Sequence, residues 1–334
     1  MLDQRLRLAL EGGGLVLPDR GSFAVFHPPA DADLAGLPQS RCHLITDFKP
    51  HHDAFAARGF AVGTTPEGQY NAALVCLPRS KALARVLIAQ AAACCDGPLI
   101  IDGQKTDGAD SLLRDLRKLG PVQGPISKAH GKLFWIDASA IDLASWHRGP
   151  ELSPGGFWTA PGVFSEGSVD PASALLVDAL PETLSGQVAD LGAGWGYLSA
   201  HVLARGDVAQ VYLVEAGHMA LECARRNVTD RRAVFHWADA TSWHAPGPMD
   251  AVIMNPPFHA TRKAEPAIGQ AFIAAAAGML APGGALLMVA NRHLPYEAEL
   301  NIRFAHVEEI GGDGRFKLFH ARRPVRQRLR QNRG

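Results

Sequence analysis

The most specific chemical signal in the chain is Asp250-Ala-Val-Ile-Met-Asn255-Pro256-Pro257-Phe258-His259. Two consecutive prolines fix the backbone and remove two amide donors. What remains is a cluster of acceptors: the side-chain carbonyl of Asn255 and the backbone carbonyl of Pro256. Such a cluster suits an exocyclic amine, whose two hydrogens both need acceptors. Holding them draws the nitrogen toward a geometry in which its lone pair attacks an electrophile. Phe258 can stack on the planar group that bears the amine. Asn255, Pro256, Pro257 and Phe258 are therefore the candidate catalytic residues.

A second signal lies upstream, in Val188-Ala-Asp190-Leu-Gly192-Ala193-Gly194-Trp-Gly196-Tyr197. An apolar strand ends in an acid, a glycine-rich turn follows, and a helix begins. Glycine lets a backbone turn sharply and approach a ligand closely. The spacing is GxGxG, whereas a dinucleotide fingerprint reads GxGxxG and a P-loop needs Lys followed by Ser or Thr. Nicotinamide and nucleoside triphosphate chemistry both recede. An acid closing the next strand fits a ribose, and Val211-Tyr-Leu-Val-Glu215 supplies one. Trp237-Ala-Asp239 offers another at the end of a third strand, where an adenine edge would lie. The candidate cofactor set is Asp190, Gly192, Ala193, Gly194, Gly196, Glu215, Asp239 and Asn255. Its members sit at carboxyl ends of strands, where parallel sheets bind ligands.

The elements that position these residues can be read from periodicity. Strands are expected at 187–191, 210–215, 233–237, 250–254 and 285–290. Helices are expected between and around them, at 172–179, 197–205, 218–227 and 268–280. Strands alternating with helices imply a mainly parallel sheet covered on both faces. The first half echoes the second. Val75, Ile100 and Leu133 sit in segments that resemble those around Ile253, Leu287 and Leu318, at nearly constant offset. Two copies of one fold are expected, with a boundary in the Gly- and Pro-punctuated stretch His147–Gly156. The first copy has no glycine turn after Phe23-Ala-Val-Phe-His-Pro-Pro, and Leu77-Pro-Arg stands where the second has NPPF, so it should bind no cofactor.

Length and composition bound the rest. At 334 residues, 47% hydrophobic and 20% charged, the chain has room for two domains and two cores. No apolar run approaches a membrane span, and the start shows no signal-peptide pattern. Five cysteines without a CxxC pair indicate reduced thiols, and Cys94-Cys95 are expected inside an Ala-rich helix. The pair His51-His52 lacks companions at metal-ligand spacing. A cytoplasmic protein without metal is expected. The net charge of zero hides an uneven distribution. Residues 1–150 carry 16 basic and 15 acidic side chains, residues 151–321 carry 11 and 18, and residues 322–334 carry six arginines and no acid. A short basic tail on an acidic domain points to a polyanion partner.

Taken together, the glycine turn, the strand-end acids and the NPPF motif resemble class I S-adenosylmethionine-dependent methyltransferases acting on amino nitrogens. Pro161-Gly-Val-Phe-Ser165, Val289-Ala-Asn291, Leu294-Pro-Tyr296 and Gly314-Arg-Phe-Lys317 narrow the resemblance. They are similar to the bacterial ribosomal RNA guanine-N2 methyltransferases, in particular the small subunit methyltransferase C family. The resemblance covers residues 157–320 well and the first 150 weakly. It implies two tandem Rossmann-like methyltransferase domains: a degenerate one at 1–150 that docks RNA or supports folding, and a catalytic one at 151–321, followed by a basic tail at 322–334.

The resemblance also implies roles. Asp190, Gly192 and Gly194 would surround the methionine end of S-adenosylmethionine, Glu215 would take the ribose and Asp239 the adenine. Asn255, Pro256 and Phe258 would receive a flipped guanine of 16S ribosomal RNA, in a small subunit or an assembly intermediate. The sulfonium methyl would pass directly to the amine of the base, and the enzyme would be a monomer. The family continues His-Asp-Gly after NPPF, and here the chain has His259-Ala-Thr, which leaves target choice open. Arg262 and Lys263, with Arg322, Arg323, Arg326, Arg328, Arg330 and Arg333 of the tail, could meet RNA phosphates. The alternatives are another amine (large-subunit guanine N2, adenine N6 or protein glutamine) and a non-catalytic ribosome assembly factor.

Overall fold

The computed structural model describes residues 2–257 and 266–325. Phe258, Arg262, Lys263, Arg326, Arg328, Arg330 and Arg333 lie outside the described residues. Contacts divide the chain at residue 150, except that Ala160–Gly162 groups with the first unit.

The first unit opens with helix α1 (Leu2–Glu11) and holds strands β1 (Phe23–Phe26), β2 (Cys42–Ile45), β3 (Ala61–Gly63), β4 (Ala72–Cys76), β5 (Pro98–Gln104), β6 (Gln123–Lys128) and β7 (Gly131–Asp137). Helices α2 (Lys49–Ala57), α3 (Lys81–Ala93) and α4 (Ala109–Arg117) connect them. A two-stranded hairpin, β8 (Glu151–Leu152) with β9 (Trp158–Thr159), begins within the stretch read as the domain boundary and ends beyond it. The second unit then runs α5 (Pro171–Asp178), β10 (Gly186–Leu191), α6 (Tyr197–Leu203), β11 (Val208–Glu215), α7 (His218–Asn227), β12 (Ala233–Trp237), β13 (Met249–Met254), α8 (Pro266–Met279), β14 (Leu280–Asn291), α9 (Glu297–Arg303), β15 (Phe304–Gly312) and β16 (Phe316–Pro324).

The two seven-stranded sheets have the same order, β3-β2-β1-β4-β5-β7-β6 and β12-β11-β10-β13-β14-β16-β15. In each, five strands run parallel, the sixth in the order pairs antiparallel to them, and the edge strand pairs antiparallel to the sixth. This is the tandem, mainly parallel α/β architecture expected from the sequence. The central strands are buried on both faces: Phe23–Phe26 and Ala72–Cys76 are buried throughout. That is why they read as continuous apolar runs.

Each sheet carries two cores. In the second unit, Ala251 and Ile253 pack toward α5 and α6, while Val252 and Met254 pack toward α8. The side chains alternate because a strand has period two. The helices follow amphipathic logic. α1 buries Leu2, Arg5, Leu6 and Ala9, and α4 buries Ala109, Leu112, Leu113 and Leu116, each spacing defining one helical face.

Three expectations need correction. Cys94 and Cys95 follow α3 rather than lying inside it, Cys94 being its C-cap. All five thiols are free and buried, and burial pushes those of Cys42, Cys94 and Cys223 up to about 11, which makes them poor nucleophiles. Arg322 and Arg323 belong to β16, paired with β15, rather than to a tail; antiparallel pairing carries the sheet past residue 321. Finally, the strand-level repeat holds, but Val75 and Ile253 face opposite ways. Val75 packs with α3, whereas Ile253 packs with α5 and α6. Among the described residues, no helix is long and apolar enough to cross a membrane.

One buried polar contact organises the first unit. Arg5 on α1 donates from Nε and Nη2 to the two carboxylate oxygens of Asp102 at 2.6 and 2.8 Å, and from Nη1 to the carbonyl of Lys128. The Arg5 side chain is 1% exposed. Breaking such a pair from one side strands a buried charge. Arg5→Ala is therefore expected to destabilise the protein by about 3–5 kcal/mol, measured by chemical denaturation. A loss within the roughly 0–1 kcal/mol of an exposed pair would contradict this.

Candidate functional site

The site is assembled at the carboxyl ends of β10, β11 and β13. β10 pairs with β13 in parallel, with Asp190 opposite Ile253. The glycine turn that follows β10 and the Asn-Pro-Pro that follows β13 therefore emerge side by side. Gly192, Ala193, Gly194 and Trp195 of the turn and Asn255 border one cleft, which Phe164, Ser165, Asp170 and Ser173 also line.

Backbone hydrogen bonds hold the glycine turn. The amides of Gly192 and Ala193 both donate to the carbonyl of Val214. The amide of Gly194 donates to Glu215 Oε2 at 2.8 Å, and that of Gly217 to Glu215 Oε1 at 2.7 Å. Glu215 thus ties the turn to the start of α7. Two glycines of the turn do different work. At Gly196 (φ +89) an added Cβ would sit 2.9 Å from Val228, so packing against α7 demands glycine. At Gly194 (φ +56) it would meet nothing within 4 Å; the space beside this backbone is open.

Asp190 is fully buried and does not line the cleft. Its Oδ2 accepts from Ser199 Oγ at 2.7 Å, and its Oδ1 has no partner. Burial, with a smaller contribution from the nearby Glu215 charge, raises its pKa to about 7. It anchors α6 beneath the glycine turn. Asp239 lies two residues past β12, where its Oδ1 accepts from the amide and hydroxyl of Thr241 at 2.8 and 2.7 Å. Neither Glu215 nor Asp239 lines the cleft that holds Asn255.

Asn255 is half-buried, Pro256 buried and Pro257 exposed. The Asn255 Nδ2 donates to Asp170 Oδ2 and to Ser173 Oγ, both at 2.9 Å. With the amide nitrogen committed, the carbonyl end of the side chain remains as the acceptor. Sequence reasoning missed Asp170 and Ser173. Asp170-Pro171 does carry a local signal, an N-cap acid followed by proline at the first helical position, and Asp170 does cap α5 through the Ser173 amide. Nothing local links it to a residue 85 positions away. Asn227 was also missed. It donates to the carbonyls of Trp158 and Trp195 and accepts from the amide of Trp158, which fastens the hairpin to the glycine turn.

The cleft lining holds one carboxylate, Asp170, and no cation among the described residues. Such a lining disfavours phosphate and favours a cationic or neutral ligand.

In the first unit, the equivalent position is filled. Asp102 pairs with Leu133 and Cys76, while Val289 pairs with Leu318 and Met254 pairs with Met288. This register sets Asp102 against Val289, and Cys76 against Asn255 rather than Met254. The counterpart of the cleft is thus occupied by Cys76 and the Arg5–Asp102 pair. Among the described residues, no group of three or more His, Cys, Asp or Glu side chains is placed to hold a metal ion.

Residues 155–320 match the family described as methyltransferase small domain. The sheet order and strand-end site define a class I methyltransferase domain. A T. thermophilus 16S rRNA N2 methyltransferase, solved in complex with AdoMet and guanosine, superposes with a TM-score of 0.79 at 24% identity, over 96% of this chain and 92% of its own. Ribosomal RNA small subunit methyltransferase C of Hahella chejuensis is 28% identical over 90% of this chain and 94% of its own length. Its counterpart in Shewanella sp. strain MR-4 is 32% identical over 76% of this chain and 77% of its own length. This chain belongs to the ribosomal RNA small subunit methyltransferase C family.

The geometry around the turn has consequences for stability and for binding. Folded Asp190 keeps its proton up to about pH 7, whereas an unfolded aspartate loses it near pH 3.9. Between these values the folded state binds the extra proton, so stability falls as pH rises and levels off above pH 7. Asp190→Asn should therefore gain Tm relative to the parent between pH 5 and pH 8; an unchanged difference would count against this. Asn227→Ala should loosen the turn and weaken S-adenosylmethionine binding about tenfold, one hydrogen bond's worth, by calorimetry. Parent-like affinity would show that the turn needs no such fastening.

Proposed function

We propose that this protein transfers a methyl group from S-adenosylmethionine to the exocyclic N2 amine of a guanine in 16S ribosomal RNA. The observation that carries the reading is the convergence, in one cleft whose described lining holds no cation, of an open glycine turn with an Asn-Pro-Pro whose amide nitrogen is already engaged. Membership of the small subunit methyltransferase C family supports the choice of substrate.

The residues present fit the donor. The open space at Gly194, the carboxylate of Glu215 beside it and the single acid of the lining all suit a cationic nucleoside. Gly192, Ala193 and Gly194 would hold its methionine end, with Asp190 and Gly196 fixing the turn from below. Glu215 would take the ribose and Asp239 the adenine. When bound, S-adenosylmethionine supplies a methyl on a sulfonium and leaves as a neutral thioether.

The chain's own residues then do the positioning. The carbonyl oxygens of Asn255 and Pro256 accept the two amine hydrogens and orient the nitrogen lone pair. Phe258 would stack on the purine. Water accepts the proton that the amine gives up. Positioning and fixed dipoles supply the acceleration. No cysteine or metal is required, because the amine attacks directly. A guanine must leave its stack to enter such a cleft, so unpaired or weakly paired RNA should react faster.

The cytoplasm, where the ribosomal RNA is made, is the proposed location. The enzyme would act as a monomer on a small subunit or an assembly intermediate. The first unit would bind no cofactor, its cleft being filled, and would dock RNA or support folding. Arginines beyond β16 would add phosphate contacts.

The test uses labelled S-adenosylmethionine and small ribosomal subunits from cells lacking the enzyme. Label is expected in N2-methylguanosine; label in any other nucleoside would overturn the substrate. Asn255→Ala should lower kcat by about 100-fold or more with cofactor affinity little changed. A loss confined to affinity would move Asn255 out of the reaction.

A further inference from the structure

We propose that Asp170 decides which end of the Asn255 amide faces the substrate, and so makes the cleft selective for an amine. The inference rests on the methyl-transfer reading above. An asparagine side chain is ambiguous: rotated half a turn, it offers two donors where it had offered an acceptor. An amine substrate is recognised only by the acceptor end. In this cleft the ambiguity is resolved by a group that can only accept. An ionised carboxylate has no hydrogen to give, so the Asn255 Nδ2 must turn toward Asp170 and the Oδ1 away from it.

The geometry is closely specified. Asp170 Oδ2 accepts from Asn255 Nδ2 at 2.9 Å and from the Ser173 amide at 2.8 Å. The second contact is the N-cap bond of α5, so the carboxylate is held by the helix it caps. Pro171 at the first helical position stiffens the same turn. Ser173 is buried, and its Oγ receives the other Nδ2 hydrogen at 2.9 Å. Both hydrogens of the amide are thereby engaged. Asp170 and Ser173 touch the reaction through Asn255 and are positioning residues.

Asn, Asp and Ser are comparable N-caps, so Asp170→Asn and Asp170→Ser both leave α5 capped. The asparagine variant can donate as well as accept, and no longer dictates the direction of Asn255. The serine variant is too short to reach it. Transfer from labelled S-adenosylmethionine to unmethylated small subunits is measured for Asp170→Ser, Asp170→Asn, Asn255→Ala and the Asp170→Ser/Asn255→Ala double variant, with thermal melts and cofactor affinity alongside.

Asp170→Ser is expected to lower kcat at saturating cofactor by about 100-fold, the cost of misplacing a positioning group, with melting close to the parent and a smaller loss of cofactor affinity from the removed charge. Asp170→Asn should show a smaller loss. The double variant should be no slower than Asn255→Ala alone, because two residues acting through one contact are not additive. A reciprocal exchange sharpens the test. Asn255→Asp alone sets two carboxylates against each other and should be nearly inactive. Adding Asp170→Asn lets the amide donate to the new carboxylate, which restores the acceptor facing the cleft, and should recover at least about tenfold.

Parent-like kcat in Asp170→Ser, fully additive losses in the double variant, or no recovery on exchange would each overturn the assignment. If Asp170→Ser fails to fold, the exchange variant, which keeps a cap, decides. The wild-type result separates this inference from the reading beneath it. Label in a different amine overturns guanine alone, and the same variants then decide the role of Asp170 on that amine. No transfer to any amine overturns both.

Discussion

The parallel pairing of β10 with β13 is the constraint from which the site follows. Its register sets Asp190 beside Ile253, so the two strands end together. Everything chemically informative then projects from one edge: the glycine turn from β10, Asn-Pro-Pro from β13, and Glu215 from the neighbouring β11. A slip of one residue would turn Asn255 from the α5 face to the α8 face. The buried alternation of Ala251, Val252, Ile253 and Met254 between two apolar cores prevents that slip. Packing energy spread over both cores thus secures the direction of one polar side chain.

The acids of the site are each held by a defined donor. Asp190 accepts from Ser199, Glu215 from the amides of Gly194 and Gly217, Asp239 from Thr241, and Asp170 from Ser173 and Asn255. A carboxylate engaged in this way is fixed in position before any ligand arrives, and preorganisation of that kind lowers a barrier without reorganisation during reaction. Asp190 is the extreme case. Cut off from water, it holds its proton up to near neutrality and accepts from Ser199 of α6 beneath the turn.

The two units show how one topology supports a site or closes it. Their sheets have the same strand order. In the second, Asp170 at the start of α5 reaches Asn255 and leaves a cleft. In the first, the corresponding ground is taken by Cys76, Asp102 and the guanidinium of Arg5 on α1. A buried, bidentate ion pair fills the volume beside Cys76 and satisfies itself. Loss of the glycine turn is visible in the sequence. The Arg5–Asp102 pair is not, because it joins residues 97 positions apart.

The sequence by itself determined the sheet class, the duplication and the motifs. The strand expected at 233–237 and the helix at 218–227 coincide with β12 and α7, because continuous apolar runs and helical periodicity are local properties. Gly192, Gly194 and Asn255 were legible for the same reason: a tight turn and a proline-fixed acceptor pair are written in adjacent residues. Tertiary structure decided the rest. Asp170, Ser173 and Asn227 act across tens of residues, and only the folded sheet and α5 bring them to their partners. The strand β15 and the hairpin β8–β9 escaped notice because their solvent-facing residues break the apolar pattern. The one-residue offset between Val75 and Ile253 also needed the fold. A string of apolar letters does not say which face each residue takes, and only the helices packed on either side settle it.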